Sequence, residues 1–236
     1  MKEGKCPLLE ITAVAFCKAY PVKMIPLDKG SSTSGICHTS EFHECALYKE
    51  RSKPYTGVES VRGFLLKSDY YLHPRHVWVS PSEENENGAT LGIDDFCQKL
   101  IGKIDRVTIP SEGSTIKENA VCFLLHSGQR TVKMVSPVDG IIKTVNSKLA
   151  SDPSVINRDP YDEGWLFTMH VHGEGLKGLF FGDSAKRWLT WEVERLQRTF
   201  SSELGLTATD GGESLSDISS KLTEAQWSRV INQFIG

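Results

Sequence analysis

Between Tyr70 and Val171 the chain consists of short apolar or alternating runs, each cut off by Gly, Pro, Asn or Ser. The runs are His76-Val77-Trp78-Val79, Ala89-Thr90-Leu91-Gly92-Ile93, Arg106-Val107-Thr108-Ile109, Ala120 to Leu125, Val132 to Val135, Gly140-Ile141-Ile142 and Gly164 to Val171. Segments of this length are too brief for an average helix but already span a sheet when extended. A succession of them with turn residues between predicts an all-β barrel or sandwich. Asp94 to Ile101 interrupts the pattern as a short helix, and Ser147 to Leu149 begins another.

On either side the text changes, and three zones are expected. Residues 1–67 hold four of the six cysteines and the turn-rich run Asp28-Lys29-Gly30-Ser31-Ser32-Thr33-Ser34-Gly35, with no sustained period of two or of 3.6. Residues 68–174 hold the β pattern. Residues 175–236 are helical: Leu189, Val193, Leu196, Phe200 and Leu204 share one face of a helix capped near Asp183 or Ser184 and ended by Gly205. A second helix follows the capping-box pattern Thr223-Glu224-Ala225-Gln226, with Trp227, Val230, Ile231 and Phe234 on one side.

A net charge of -3 on 236 residues gives no field that would gather nucleic acid or anionic lipid. No segment reaches the roughly 20 apolar residues that cross a bilayer, and the start of the chain lacks a small-residue cleavage site. These features predict a cytoplasmic protein, with no nucleic acid or membrane as partner. In a reducing compartment cysteines serve as ligands, redox thiols or core filler rather than as disulfides.

Several signatures fall in a specific order: His76-Val77-Trp78-Val79; Leu91-Gly92-Ile93-Asp94-Asp95 with Leu100-Ile101-Gly102; Ile109-Pro110-Ser111-Glu112-Gly113; Ser136-Pro137-Val138-Asp139-Gly140; and Asn157-Arg158-Asp159-Pro160-Tyr161-Asp162-Glu163-Gly164-Trp165-Leu166. Across about a hundred residues their order and spacing resemble the glycine-cleavage H protein family of lipoyl carriers. The resemblance implies a flattened β-barrel, the barrel-sandwich hybrid of the lipoyl-carrier type, here with an irregular Cys-rich N-terminal segment and C-terminal helices added. Pro137 and the pair Asp139-Gly140 are expected to supply fixed and positive φ for a reversal between strands, and Gly113 to serve the turn before the next one.

That family carries lipoate in amide linkage to a lysine at a hairpin tip, eight positions before the proline of the Pro-Val-Asp/Ser-Gly turn. Here that position is Gln129, within His126-Ser127-Gly128-Gln129-Arg130-Thr131. A lysine amine attacks an acyl donor through a free lone pair, whereas the lone pair of a carboxamide nitrogen is delocalised into its carbonyl. No lipoate is therefore expected on Gln129. His126 stands where the family has a glutamate and Gly128 where a β-branched residue is usual, so the turn that a ligase recognises has changed as a whole. Lys133 is the alternative lysine, but it lies in the returning strand if the hairpin is kept.

Cys6, Cys17, Cys37 and Cys45 are spaced C-x10-C-x19-C-x7-C. Four thiols in about forty residues suggest a tetrahedral site for structural zinc or an iron–sulfur cluster. A loop-rich segment without its own hydrophobic periodicity gains order from such a staple. His38 and His43 are expected to be loop residues, Cys97 and Cys122 core, His170 and His172 a surface pair, and Trp188 and Trp191 docking residues against the barrel. No nucleophile elbow, phosphate loop, dinucleotide glycine pattern or zinc-protease motif occurs.

These expectations combine into a non-enzymatic, non-lipoylated H-protein-like binding or accessory module that docks an unidentified protein through its barrel or its C-terminal helices. Two alternatives remain open: a zinc or iron–sulfur redox accessory using the four cysteines, and a lipoyl carrier of the glycine cleavage system modified at another lysine.

Overall fold

The computed structural model describes residues 14–17, 20–26, 40–44, 57–82, 85, 87–173, 175–203 and 218–236. Two compact units divide at residue 56/57. In the first, strands β1 (Val14–Cys17) and β2 (Tyr20–Pro26) form an antiparallel hairpin whose register slips between Phe16 and Cys17. A 3₁₀ turn spans Ser40–Glu44.

The second unit begins with the hairpin β3 (Val58–Val61) and β4 (Phe64–Lys67), followed by β5 (Tyr71–Leu72), β6 (Val77–Pro81) and β7 (Gly88–Ile93). Helix α1 (Asp95–Ile101) comes next, capped by the Asp94 side chain, whose Oδ1 accepts from the Cys97 amide at 2.8 Å. Then come β8 (Arg106–Thr108), β9 (Thr115–Ile116), β10 (Val121–Ser127), β11 (Arg130–Val135), β12 (Gly140–Val145), the short helix α2 (Val155–Arg158) and β13 (Phe167–Val171). Helices α3 (Asp183–Glu203) and α4 (Glu224–Phe234) close the chain.

Among the described residues all strand pairings are antiparallel. A six-stranded sheet runs β5-β6-β7-β13-β12-β9 and a three-stranded one β11-β10-β8. The two face each other: Phe123 of β10 meets Phe167 of β13 edge-on at 5.9 Å between ring centroids. Alternation along each strand sends Leu91, Ile93, Phe123, Leu125, Val132, Met134, Ile142 and Met169 into one core. The architecture is mainly β, as the run pattern predicts, and has the barrel-sandwich form that the family resemblance implies. Val61, Phe64 and Leu66 from the β3–β4 hairpin join the same core, so residues 57–67 fold with the barrel.

Helix α3 buries Ala185, Trp188, Leu189, Val193 and Leu196, the four-three spacing expected of its apolar face. Trp188 docks against the barrel, stacked on Phe180 at 5.0 Å and tilted over His76 at 4.9 Å. Trp191 does not dock as expected. It is 50% exposed, because it lies about a third of a turn off the centre of the buried stripe, and the Arg195 guanidinium covers its ring.

Gly140 is needed for a reason other than the one expected. Its φ is not in the left-handed region; instead it pairs with Val171, and a Cβ there would lie 2.3 Å from the carbonyl oxygen of His170. Close strand approach, rather than positive φ, excludes a side chain. Gly113, with φ +84°, does serve its turn as expected.

Candidate functional site: the β10–β11 hairpin

Ser127 and Arg130 form the last pair of the β10–β11 ladder, so the loop between them has two residues, Gly128 and Gln129. Gly128 has φ +59° while Gln129 stays at negative φ, the arrangement of a type II′ turn. Such a turn follows the right-handed twist of its strands and projects the second residue outward. Gln129 is exposed at the apex. The Gly128 amide donates to Asp105 Oδ2 at 2.6 Å, which ties the loop to the start of β8.

Lys133 lies four residues down β11, opposite Leu124, in the edge strand of its sheet. Its side chain is exposed, but its backbone is held in the ladder rather than in a turn.

Behind the tip, His126 is buried within a network that spacing alone does not reveal. The register sets Arg106, His126 and Thr131 side by side across three strands. Arg106 Nη2 is 3.2 Å from His126 Nδ1, and Thr131 Oγ1 is 3.0 Å from the same nitrogen. A guanidinium can only donate, so Nδ1 must accept and the ring proton sits on Nε2, which donates to Thr108 Oγ1 at 3.0 Å. Burial lowers the pKa of His126, and the Arg106 charge lowers it further. The imidazole is therefore neutral near pH 7 and acts as a structural bridge.

Arg130, immediately after Gln129, reaches the C-terminal helix. Its Nε donates to Glu224 Oε2 at 2.7 Å, and its guanidinium carbon lies 4.6 Å from the centre of the Trp227 ring. No short-range signal in the sequence pairs positions this distant.

Cys6, Cys37 and Cys45 lie outside the described residues, and Cys17 ends β1. Among the described residues no three His, Cys, Asp or Glu side chains come together as a metal site. Cys97 and Cys122 are buried free thiols; burial raises both pKa values, that of Cys122 to about 12, which leaves them protonated and inert. His170 and His172 meet edge-on at 5.7 Å on the barrel surface. His43 is exposed beside Glu41 and Glu44.

The family model for the glycine cleavage H-protein matches residues 69–189, from β5 through the first turns of α3. The chain belongs to the glycine cleavage H-protein family. It is 32% identical over 115 residues to the glycine cleavage system H protein of Marinobacter nauticus, a match covering 48% of this chain and 87% of that one. It is 37% identical over 119 residues to the probable glycine cleavage system H protein of Aeropyrum pernix, covering 50% and 80% respectively. A crystal structure of a glycine cleavage system H protein from Mycobacterium marinum aligns with TM-score 0.47 and 22% identity, over 54% of this chain and 99% of that one. H proteins are carriers rather than enzymes, and a chain with no catalytic activity of its own fits the family. Among the described residues no helix is long and apolar enough to cross a membrane.

Proposed function

We propose that this chain is a non-lipoylated member of the H-protein family, a binding or accessory module rather than a working shuttle. The observation that carries the reading is a carboxamide, Gln129, exposed at the apex of the two-residue β10–β11 loop where the family resemblance places the arm-bearing lysine. The barrel around it retains its packing, so loss of the amine removes the arm without removing the scaffold. Its partners are proteins, and relatives named for the glycine cleavage system point to components of that system or to proteins built like them. The protein acts in the cytoplasm. Co-expression with a lipoate ligase and intact-mass measurement test the proposal: the wild-type chain should keep its unmodified mass. A gain of one lipoyl group, on Lys133 or any other lysine, would restore the carrier reading.

A second proposal rests on the four cysteines Cys6, Cys17, Cys37 and Cys45, gathered within about forty residues ahead of the barrel. They bind zinc or an iron–sulfur cluster, which would make the chain a redox or metal-stapled accessory docked through its barrel. Metal analysis and visible absorption of the full chain purified without oxygen decide it. A colourless protein free of both iron and zinc would end this reading.

A further inference from the structure

We propose that His170 and His172 form a two-imidazole site for a divalent late transition-metal ion, of the class of zinc, nickel and copper, on the outer face of the six-stranded sheet. The strand sets the pair. Side chains alternate along β13, with Phe167 and Met169 in the core and Thr168 and His170 turned away from it. His172 lies one residue past the end of the strand and keeps the alternation: its amide donates to the Asp139 carbonyl at 2.9 Å, and its ring centre comes to 5.7 Å from that of His170. His170 is held in register between Ile141 of β12 and Gly88 of β7, so backbone pairing fixes both positions. Gly88 carries no side chain, which leaves one flank of His170 open.

The ring nitrogens of this pair are unclaimed, and those of the other barrel histidines are not. His76 Nδ1 is 2.8 Å from Asp94 Oδ2, His73 Nδ1 accepts from the Arg75 amide at 3.2 Å, and both nitrogens of His126 are engaged by Arg106, Thr108 and Thr131. Among the described residues none forms a hydrogen bond with a ring nitrogen of His170 or His172. A neutral imidazole with a free nitrogen is a good ligand for zinc, copper and nickel. With metal–nitrogen bonds of about 2.0–2.1 Å, two imidazoles on one ion place their ring centres roughly 4.5–5 Å apart. Modest rotations about side-chain bonds that no hydrogen bond restrains close the observed separation to that value.

The adjacent Asp139 carboxylate is engaged by the Glu118 amide and by Lys117. Among the described residues no third His, Cys, Asp or Glu completes a group around the pair, so solvent fills the remaining positions on the ion. Such a site is weaker than a closed tetrahedral one. Its affinity comes from the strand presenting two ligands at once, which makes capture by the second ring intramolecular. The inference rests neither on Gln129 nor on the four cysteines. An ion taken up by those cysteines would leave the imidazoles of His170 and His172 unperturbed, so the two metal proposals fail separately.

Titration of the full chain with zinc, followed through the NMR signals of the histidine rings, provides the test. The signals of His170 and His172 should move together with one shared midpoint, while those of the engaged His76 and His126 stay in place. His170→Asn and His172→Asn, at positions where the barrel should keep its unfolding midpoint, should each weaken the response of the remaining histidine by about tenfold or more. Two rings that titrate independently, so that neither substitution moves the other's midpoint, would overturn the proposal. So would rings that do not respond, or an affinity no tighter than that of imidazole free in solution, which would make the uptake adventitious.

Discussion

Strand β11 has a turn at each end, and the two are held in different ways. After its last residue, Ser136 and Val138 are fully buried, Ser136 Oγ donates to the Val138 carbonyl at 2.7 Å, and Gly140 lies against the backbone of His170. Before its first residue, Gly128 and Gln129 are exposed, and a Cβ on Gly128 would meet nothing within 4 Å. The inner turn is specified by its neighbours at Ser136, Val138 and Gly140. At the tip only the backbone conformation of Gly128 is constrained, and nothing in the fold requires one side chain rather than another at 129. An attachment residue can therefore be lost there while the barrel survives.

The largest expected effect lies in the inner turn. Gly140→Ala should destabilise the barrel toward the upper end of about 1–3 kcal/mol, because the clash is with backbone that cannot swing away. Urea unfolding of the full chain, followed by its tryptophan fluorescence, checks this. At the tip, Gly128→Ala should cost about 1–2 kcal/mol, from the left-handed φ alone. If it cost as much as Gly140→Ala, the contrast between the two turns would be lost.

A smaller effect depends on pH. The folded pKa of His126 is below its ordinary value, so below about pH 6.5 the unfolded chain takes up the proton first. Its contribution to stability is complete above that pH and declines as pH falls toward the lowered folded value. His73, also lowered by burial, acts in the same window. His126→Gln should accordingly flatten only part of the acid dependence, seen as a shallower fall of unfolding midpoint between neutral and mildly acidic buffers. The smallest effect belongs to Gln129: replacement by Ala or Lys should change stability by no more than about 0.5 kcal/mol.

Much of the barrel was legible in the sequence because its signals are local. Alternating runs gave strands, the break at Asp94 to Ile101 gave α1, and the Thr223 to Gln226 box gave the start of α4. The departure at 129 was also legible, since it lies within the six residues His126 to Thr131 that the family resemblance sets at a hairpin tip; that the ladder runs on to Ser127 and Arg130 and leaves a two-residue loop was not. The β3–β4 hairpin was not, because its apolar residues become core only after β4 meets α1: the Leu65 amide donates to Asp95 Oδ2 at 2.7 Å, and Phe64 packs on Phe96. The motif around Gly140 points to a φ requirement, because a turn motif carries no trace of the strand that will lie beside it. Neither Arg130–Glu224 nor the His126 network could be found from spacing, since both join elements that only the closed barrel brings together. The four cysteine positions give a pattern of spacing, and metal analysis is the way to assign it.

Peptide-level mass spectrometry of the full chain after co-expression with an active lipoate ligase and lipoate bears most directly on the central claim. Every lysine-containing peptide of the barrel, and the peptide ending at Arg130, should be found without a lipoyl group. A lipoylated lysine in any of them, whether or not it was Lys133, would contradict the account and return the chain to the carriers.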